Sequence, residues 1–104
     1  MINSINAQRI MIPITLFKTF TYRGWFCTIQ ESWGGGYRID AVAMTQQFLI
    51  EYNKSNSTIN YASNFKHCGK FITFNISQWL VGYERAIKKA KAHIDQYIGA
   101  APIL

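Results

Sequence analysis

The C-terminal third of the chain carries an apolar stripe with the spacing of an α-helix. Between Ser77 and Ile98 the stripe residues recur every three or four positions: Leu80, Tyr83, Ile87, Ala90, Ile94 and Ile98. Such a stripe occupies one face of a helix and has to be buried against another element. Asn75 is a suitable N-cap with Gln78 three residues later, and Gly99 and Pro102 provide a stop. We therefore predict one long C-terminal α-helix that packs on the rest of the chain.

Three segments before this helix have the period-two alternation of β-strands. They are ITLFKTFTY (14–22), WFCTIQES (25–32) and YRIDAVAM (37–44), all rich in β-branched and aromatic residues. Short glycine-containing links join them, which is typical of antiparallel hairpins. GKFITFN (69–75) has the composition of a further short strand. The predicted fold is α+β, an antiparallel meander of three to five strands packed on the C-terminal helix.

The segment from 45 to 69 does not indicate one structure. QQFLIEY fits either one or two helical turns started by Thr45 or another strand, because a short apolar run does not separate the two. The polar residues after it indicate a loop-rich insertion. Apolar residues on both sides of the strands predict that the second sheet face is covered by this segment or by another subunit. We expect one domain over 1–104, with 1–11 as a mobile lead-in.

The three glycines in ESWGGGYRID raise the question of a phosphate-binding loop. Dinucleotide and nucleotide loops use GxGxxG or GxxxxGK[ST] at the start of a helix, since helix-terminal amides bind the anion. Here neither pattern occurs, and the glycines run into an alternating strand. We interpret them as the bend between two strands.

The cysteines and histidines do not form a recognisable reactive motif. His67 and Cys68 are adjacent, so on an extended chain their side chains point to opposite faces, and Cys27 is far away in the sequence. Zinc sites usually need four ligands with spacings such as CxxC. We expect no catalytic residues, no metal and no cofactor, and we favour a protein that is not an enzyme.

The composition favours an anionic partner. The net charge is +6, and aromatic residues make up 15% of the 104 residues. Rings interleaved with arginines could stack bases and bind phosphates, although the same rings would suit a core or a dimer interface. The predicted binding residues lie on the sheet and the helix: Arg23, Trp25, Trp33, Tyr37, Arg38, Lys88 and Lys89.

A protein-binding or regulatory module is the function that we expect. The alternative is a nucleic-acid-binding protein that uses the sheet aromatics and the basic residues. We expect a protein partner or a homodimer, and no membrane association, because charged residues interrupt every apolar run. Without a recognisable secretion signal, the cytoplasm is the expected location.

The order YRGWFCTIQES, glycine-rich bend, YRIDAVAM, later strand and AIKKAKAHIDQYI resembles the HicB-type antitoxin domain over about residues 14–98. In that family a strand pair with a glycine-containing turn precedes a third strand and a helix whose alanines pack on the sheet. Ala86, Ala90 and Phe74 occupy similar places here. The family's Pro-Asp-Leu-Pro-Gly-like segment is absent, and a long loop stands in that region. The resemblance therefore implies shared architecture rather than shared activity.

Overall fold

A computed structural model describes residues 17–32, 34–56, 60–77 and 82–103, which form an α+β fold. Four strands make one antiparallel sheet in the order β1-β2-β3-β4. Their bounds are Phe17–Tyr22 (β1), Trp25–Glu31 (β2), Tyr37–Ala43 (β3) and Phe71–Ile76 (β4). The predicted fold class and the predicted strand near the end of the middle segment are both confirmed. Residues 1–16, which include the expected lead-in, lie outside the described part.

The two central strands are buried on both faces. Trp25, Cys27 and Ile29 of β2 belong to a core with β3 residues such as Ile39 on one face, while Phe26 belongs to a separate core on the other. This follows from the alternation of side chains along a strand. The sheet is therefore the middle layer of three.

The first outer layer is the C-terminal helix. It consists of α-helix α2 (Tyr83–His93), which continues as one π-helical segment (Ile94–Ile98). Ala86 and Ala90 are fully buried against the sheet, so the helix axis approaches the strands closely. The described residues of the predicted apolar stripe therefore face the sheet as expected: Tyr83, Ile87, Ala90, Ile94 and Ile98. Leu80, the first residue of the predicted stripe, lies outside the described residues.

The predicted start of this helix is wrong. Asn75 does not cap it, because Asn75 lies in β4 opposite Arg38 of β3. Helix α2 begins after Gly82, whose φ of 89° lies in the left-handed region that favours glycine. The N–H of Gly82 donates to the hydroxyl of Tyr37 at 3.0 Å, which ties the helix start to the sheet. Gln78 lies outside the described residues.

The second outer layer is the middle segment. QQFLIEY belongs to α-helix α1 (Gln46–Lys54), and a 3₁₀ helix follows at Ala62–Cys68. Thr45 caps α1, since its side-chain oxygen accepts from the N–H of Phe48 at 3.1 Å. Phe48 and Phe65 pack on Phe26 of the sheet. Of the two predicted alternatives for the second face, the described residues support cover by the chain's own middle segment.

The glycine run forms the bend between β2 and β3. Gly34, Gly35 and Gly36 all have positive φ, between 81° and 94°. The N–H of Ser32 donates to the carbonyl of Gly36 at 3.1 Å and closes the loop. The sequence interpretation of a strand-to-strand bend is confirmed.

None of the described helices has the length and apolar character needed to cross a membrane.

Candidate functional site: the β4 edge

Strand β4 forms one edge of the sheet. Among the described strands it pairs only with β3, and the pairing runs from Phe71 to Ile76 with an unbroken register. Natural edge strands usually carry a lysine, a proline or a bulge that prevents pairing with another chain. FITFNI has no charge and no proline, whereas the opposite edge strand β1 contains Lys18. The β4 edge lacks these protections.

The backbone of β4 turns hydrogen-bonding groups outward at alternate residues. The N–H of Ala43 donates to the carbonyl of Lys70 at 2.9 Å, so these two residues form a hydrogen-bonded pair in the β3–β4 ladder. Antiparallel ladders alternate hydrogen-bonded with non-hydrogen-bonded pairs. The N–H and C=O groups of Phe71, Thr73 and Asn75 therefore point away from β3. They form a row of donors and acceptors at the sheet edge.

A groove runs beside this edge, between the end of β4 and the outer side of the C-terminal helix. Its volume is about 310 Å³, and it is lined by Asn75, Ile76, Ser77, Lys89, Ala92, His93, Gln96 and Tyr97. The imidazole of His93 stacks on the ring of Phe74 with centroids 4.3 Å apart. Tyr97 is 68% exposed, although its ring lies 4.9 Å from that of His93. The groove thus combines apolar and polar side chains in its lining.

The π-helical segment sets the position of Tyr97. In its last turn the N–H of Gly99 donates to the carbonyl of Ile94, five residues earlier, at 2.7 Å. A π turn is wider than an α turn and frequently occurs at functional sites. Ile94 remains fully buried, so the widened turn is anchored on the core while Tyr97 lies at the surface.

Polar contacts also fix the C-terminal end of this helix to the turn between β1 and β2. The hydroxyl of Tyr22 donates to Asp95 at 2.7 Å, and Arg23 donates to the same carboxylate at 3.0 Å. The bond from Tyr22 lowers the pKa of Asp95, and Arg23 acts in the same direction. The same bond raises the pKa of Tyr22. Both partners of the Arg23–Asp95 ion pair are almost half exposed, so the pair positions the helix more than it stabilises it.

The predicted binding residues do not lie on one surface. Trp25 is 1% exposed and its indole N–H donates to the carbonyl of Gly99, and Tyr37 is also buried. These two rings are core residues that hold the helix, rather than an open stacking surface. Trp33 lies outside the described residues.

The predicted basic residues are exposed, but they are dispersed. Arg38 lies on the sheet face opposite α2, where it donates to Asp40 at 3.1 Å. Lys88 and Lys89 lie on the exposed side of α2, and of these two only Lys89 lines the groove. Arg23 is at the β1–β2 turn. Their role in binding stays a prediction.

Asp40 explains why Arg38 is held in place. Its carboxylate is buried and accepts from Arg38 and, at 2.7 Å, from the hydroxyl of Thr73. Thr73 and Asp40 form a non-hydrogen-bonded pair, in which opposing side chains lie closest. This bond holds β4 to β3 on the face away from α2.

The two thiols are buried on opposite faces of the sheet. Cys27 packs in the core under α2 and Cys68 in the core under α1, and both are free. Burial raises the pKa of Cys27 to about 12 and also raises that of Cys68. His67 is exposed beside the buried Cys68. Within the described ranges, no three His, Cys, Asp or Glu side chains converge as a metal site.

Sequence reasoning missed the groove. Phe74 and His93 lie 19 positions apart, and only the folded sheet and helix stack their rings. His93 and Tyr97 are four residues apart, a spacing that puts two side chains on one helix face. That spacing is the one signal that could have pointed to them.

The chain has no match among protein-family models, curated proteins or solved structures. The HicB-type resemblance therefore stays a prediction.

Proposed function

We propose that this protein is a non-enzymatic binding module that recognises a protein partner by strand addition at β4. The observation that carries the proposal is the uncharged β4 edge with the outward backbone groups of Phe71, Thr73 and Asn75. An extended segment that pairs with a sheet edge gains affinity from main-chain hydrogen bonds and specificity from pockets for alternate side chains. The outward backbone groups of β4 offer the main-chain hydrogen bonds, and the groove offers a pocket for the alternate side chains.

The groove indicates which side chains suit the partner. Every second side chain of an added strand would lie on the helix side of the sheet, beside Ile76 and Tyr97. Ile76 and the ring of Tyr97 favour an apolar side chain there. The net charge of +6 favours a partner segment that lacks excess positive charge.

Nucleic-acid binding remains the alternative proposal, and its support is narrower. The exposed Lys88 and Lys89 and the net charge support it, but Trp25 and Tyr37 are buried and offer no stacking surface. Labelled single-stranded RNA and DNA at two salt concentrations test it. Saturable binding that weakens steeply with salt would favour the alternative, and no binding at low salt would reject it.

A displayed library of random peptides tests strand addition directly. The wild-type protein should select extended peptides, and Asn75→Pro should lose them, because proline removes an outward N–H. The inward ladder keeps its bonds, since the N–H of Asn75 does not point at β3. Asn75→Ala keeps the N–H and is the matched control. The proposal fails if selected peptides bind wild type and Asn75→Pro equally, or if no peptide is selected and no second copy binds.

A further inference from the structure

We infer that the partner at the β4 edge is the β4 strand of a second copy, paired antiparallel about a two-fold axis that lies midway between the two copies of Phe74. This inference rests on the proposed strand addition. It adds the identity of the partner and the register of pairing.

Geometry limits where such an axis can lie. Residues directly opposite each other in an antiparallel pair point to the same face of the sheet. Two identical strands therefore satisfy the pairing only when one residue lies directly opposite its own mate, with the axis midway between them. For the β4 segment, Thr73 and Phe74 are the two central choices and give the longest overlap.

Side-chain matching separates these two registers. With the axis at Phe74, Ile72 lies opposite the partner's Ile76, Thr73 opposite the partner's Asn75, and Phe74 opposite its own mate. Apolar residues then meet on the helix side, and on the other face Thr73 meets Asn75 while Phe71 meets Ser77 at the end of the overlap. With the axis at Thr73, Ile72 would lie opposite Phe74 and Thr73 opposite its own mate, but Phe71 would lie opposite Asn75 and Lys70 opposite Ile76. That register thus has two kinds of apolar–polar pair, whereas the Phe74 register has one. Cross-strand matching favours the Phe74 axis.

The outward backbone groups fit the same register. Thr73 and Asn75 both turn N–H and C=O outward, so each Thr73–Asn75 pair across the axis can exchange two hydrogen bonds. Phe74 then forms a non-hydrogen-bonded pair with its mate, with Cα atoms about 4.5 Å apart. The two four-stranded sheets become one continuous sheet.

In this register a side chain of the second copy also enters the groove. Ile76 lines it, and Ile72 of the second copy would lie directly opposite Ile76 on the same face of the sheet. This side chain would cover part of the groove lining beside Tyr97. The exposed tyrosine then becomes the rim of an interface.

Charge sets the conditions for this pairing. Each copy carries +6, so the two copies repel each other, and salt screens that repulsion. Added salt should tighten the dimer, whereas it weakens binding to nucleic acid. The sign of the salt effect therefore separates the two kinds of association.

Sedimentation equilibrium tests the association. The wild type and Asn75→Ala should have twice the mass of one chain at high protein concentration, with circular dichroism as the check on folding. Asn75→Pro should raise the dissociation constant by more than about tenfold, a loss of at least about 1.4 kcal/mol. A wild type that is monomeric at every concentration and salt level overturns the inference. If peptides are still selected through β4, strand addition survives without self-pairing.

Cysteine cross-linking tests the register. Phe74→Cys should form an intermolecular disulfide under mild oxidation, because its Cα–Cα distance across the axis suits a disulfide. Thr73→Cys is the matched control, and Cys27 and Cys68 are buried and should not compete. A dimer in which Thr73→Cys cross-links better than Phe74→Cys overturns the Phe74 axis.

Discussion

Phe48 provides a direct test of how the second face of the sheet is covered. The side chain is 2% exposed, and its ring lies 5.2 Å from the rings of both Phe26 and Phe65. Replacing it with alanine removes a buried ring and leaves a cavity, which costs about 3–5 kcal/mol. Because a domain of this size has a free energy of unfolding of about 5–15 kcal/mol, Phe48→Ala should remove a large share of the total.

Leu49 is the matched control, because it is the next residue on α1 and is 49% exposed. Leu49→Ala should change the free energy of unfolding by no more than about 0.5 kcal/mol. Urea unfolding followed by circular dichroism measures both. With an m value of about 2 kcal/mol per molar urea, a loss of 4 kcal/mol moves the midpoint by about 2 M for Phe48→Ala. If the free energy of unfolding falls by the same small amount in both variants, the docking of α1 on the sheet is refuted.

Two further predictions follow from the described pKa shifts. Cys27 and Cys68 should resist a thiol-specific reagent in the native state and react after unfolding, since burial disfavours both thiolates; fast native labelling would contradict their burial. The folded state lowers the pKa of Asp95 from 3.8 and raises that of Tyr22 from 10.0. Their contribution to stability should thus be lost as pH falls through the folded pKa of Asp95 or rises through that of Tyr22. Thermal unfolding of the wild type and Tyr22→Phe across pH checks this, and identical alkaline profiles would contradict it.

The strands were predictable because each signal was local. Alternation over 25–32 and 37–44 marks β2 and β3, and the apolar stripe marks the face of α2 that the sheet covers. Thr45 marks the start of the helical alternative for QQFLIEY, because a capping side chain acts within three residues, but the sequence alone leaves a strand open there. Signals of this range need no knowledge of tertiary structure.

Predictions failed where contacts between segments distant in the sequence override a local signal. Asn75 is a good capping residue by type, but pairing with β3 draws it into a strand, and the helix starts at Gly82 instead. Trp25 and Tyr37 fit a recognition surface by composition, since a core and a binding surface use the same rings. The β4 groove depends on the packing of two segments about 20 residues apart, and the four-residue spacing of His93 and Tyr97 is the one local pattern that points to it.

The polar contacts that join the first hairpin to the C-terminal end of the helix have a consequence for the order in which the chain can fold. Tyr22, Arg23 and Trp25 bond with partners 72 to 74 residues later, so these bonds close very long loops. Contacts between residues so far apart in the sequence form slowly, because closing the loop costs chain entropy before the contact stabilises the fold. During synthesis the first three strands, which end at Ala43, emerge well before α2 begins at Tyr83, and their helix-side face stays uncovered in the interval. That nascent intermediate, with the edge of β3 still unpaired, is the species most exposed to aggregation and to premature strand exchange.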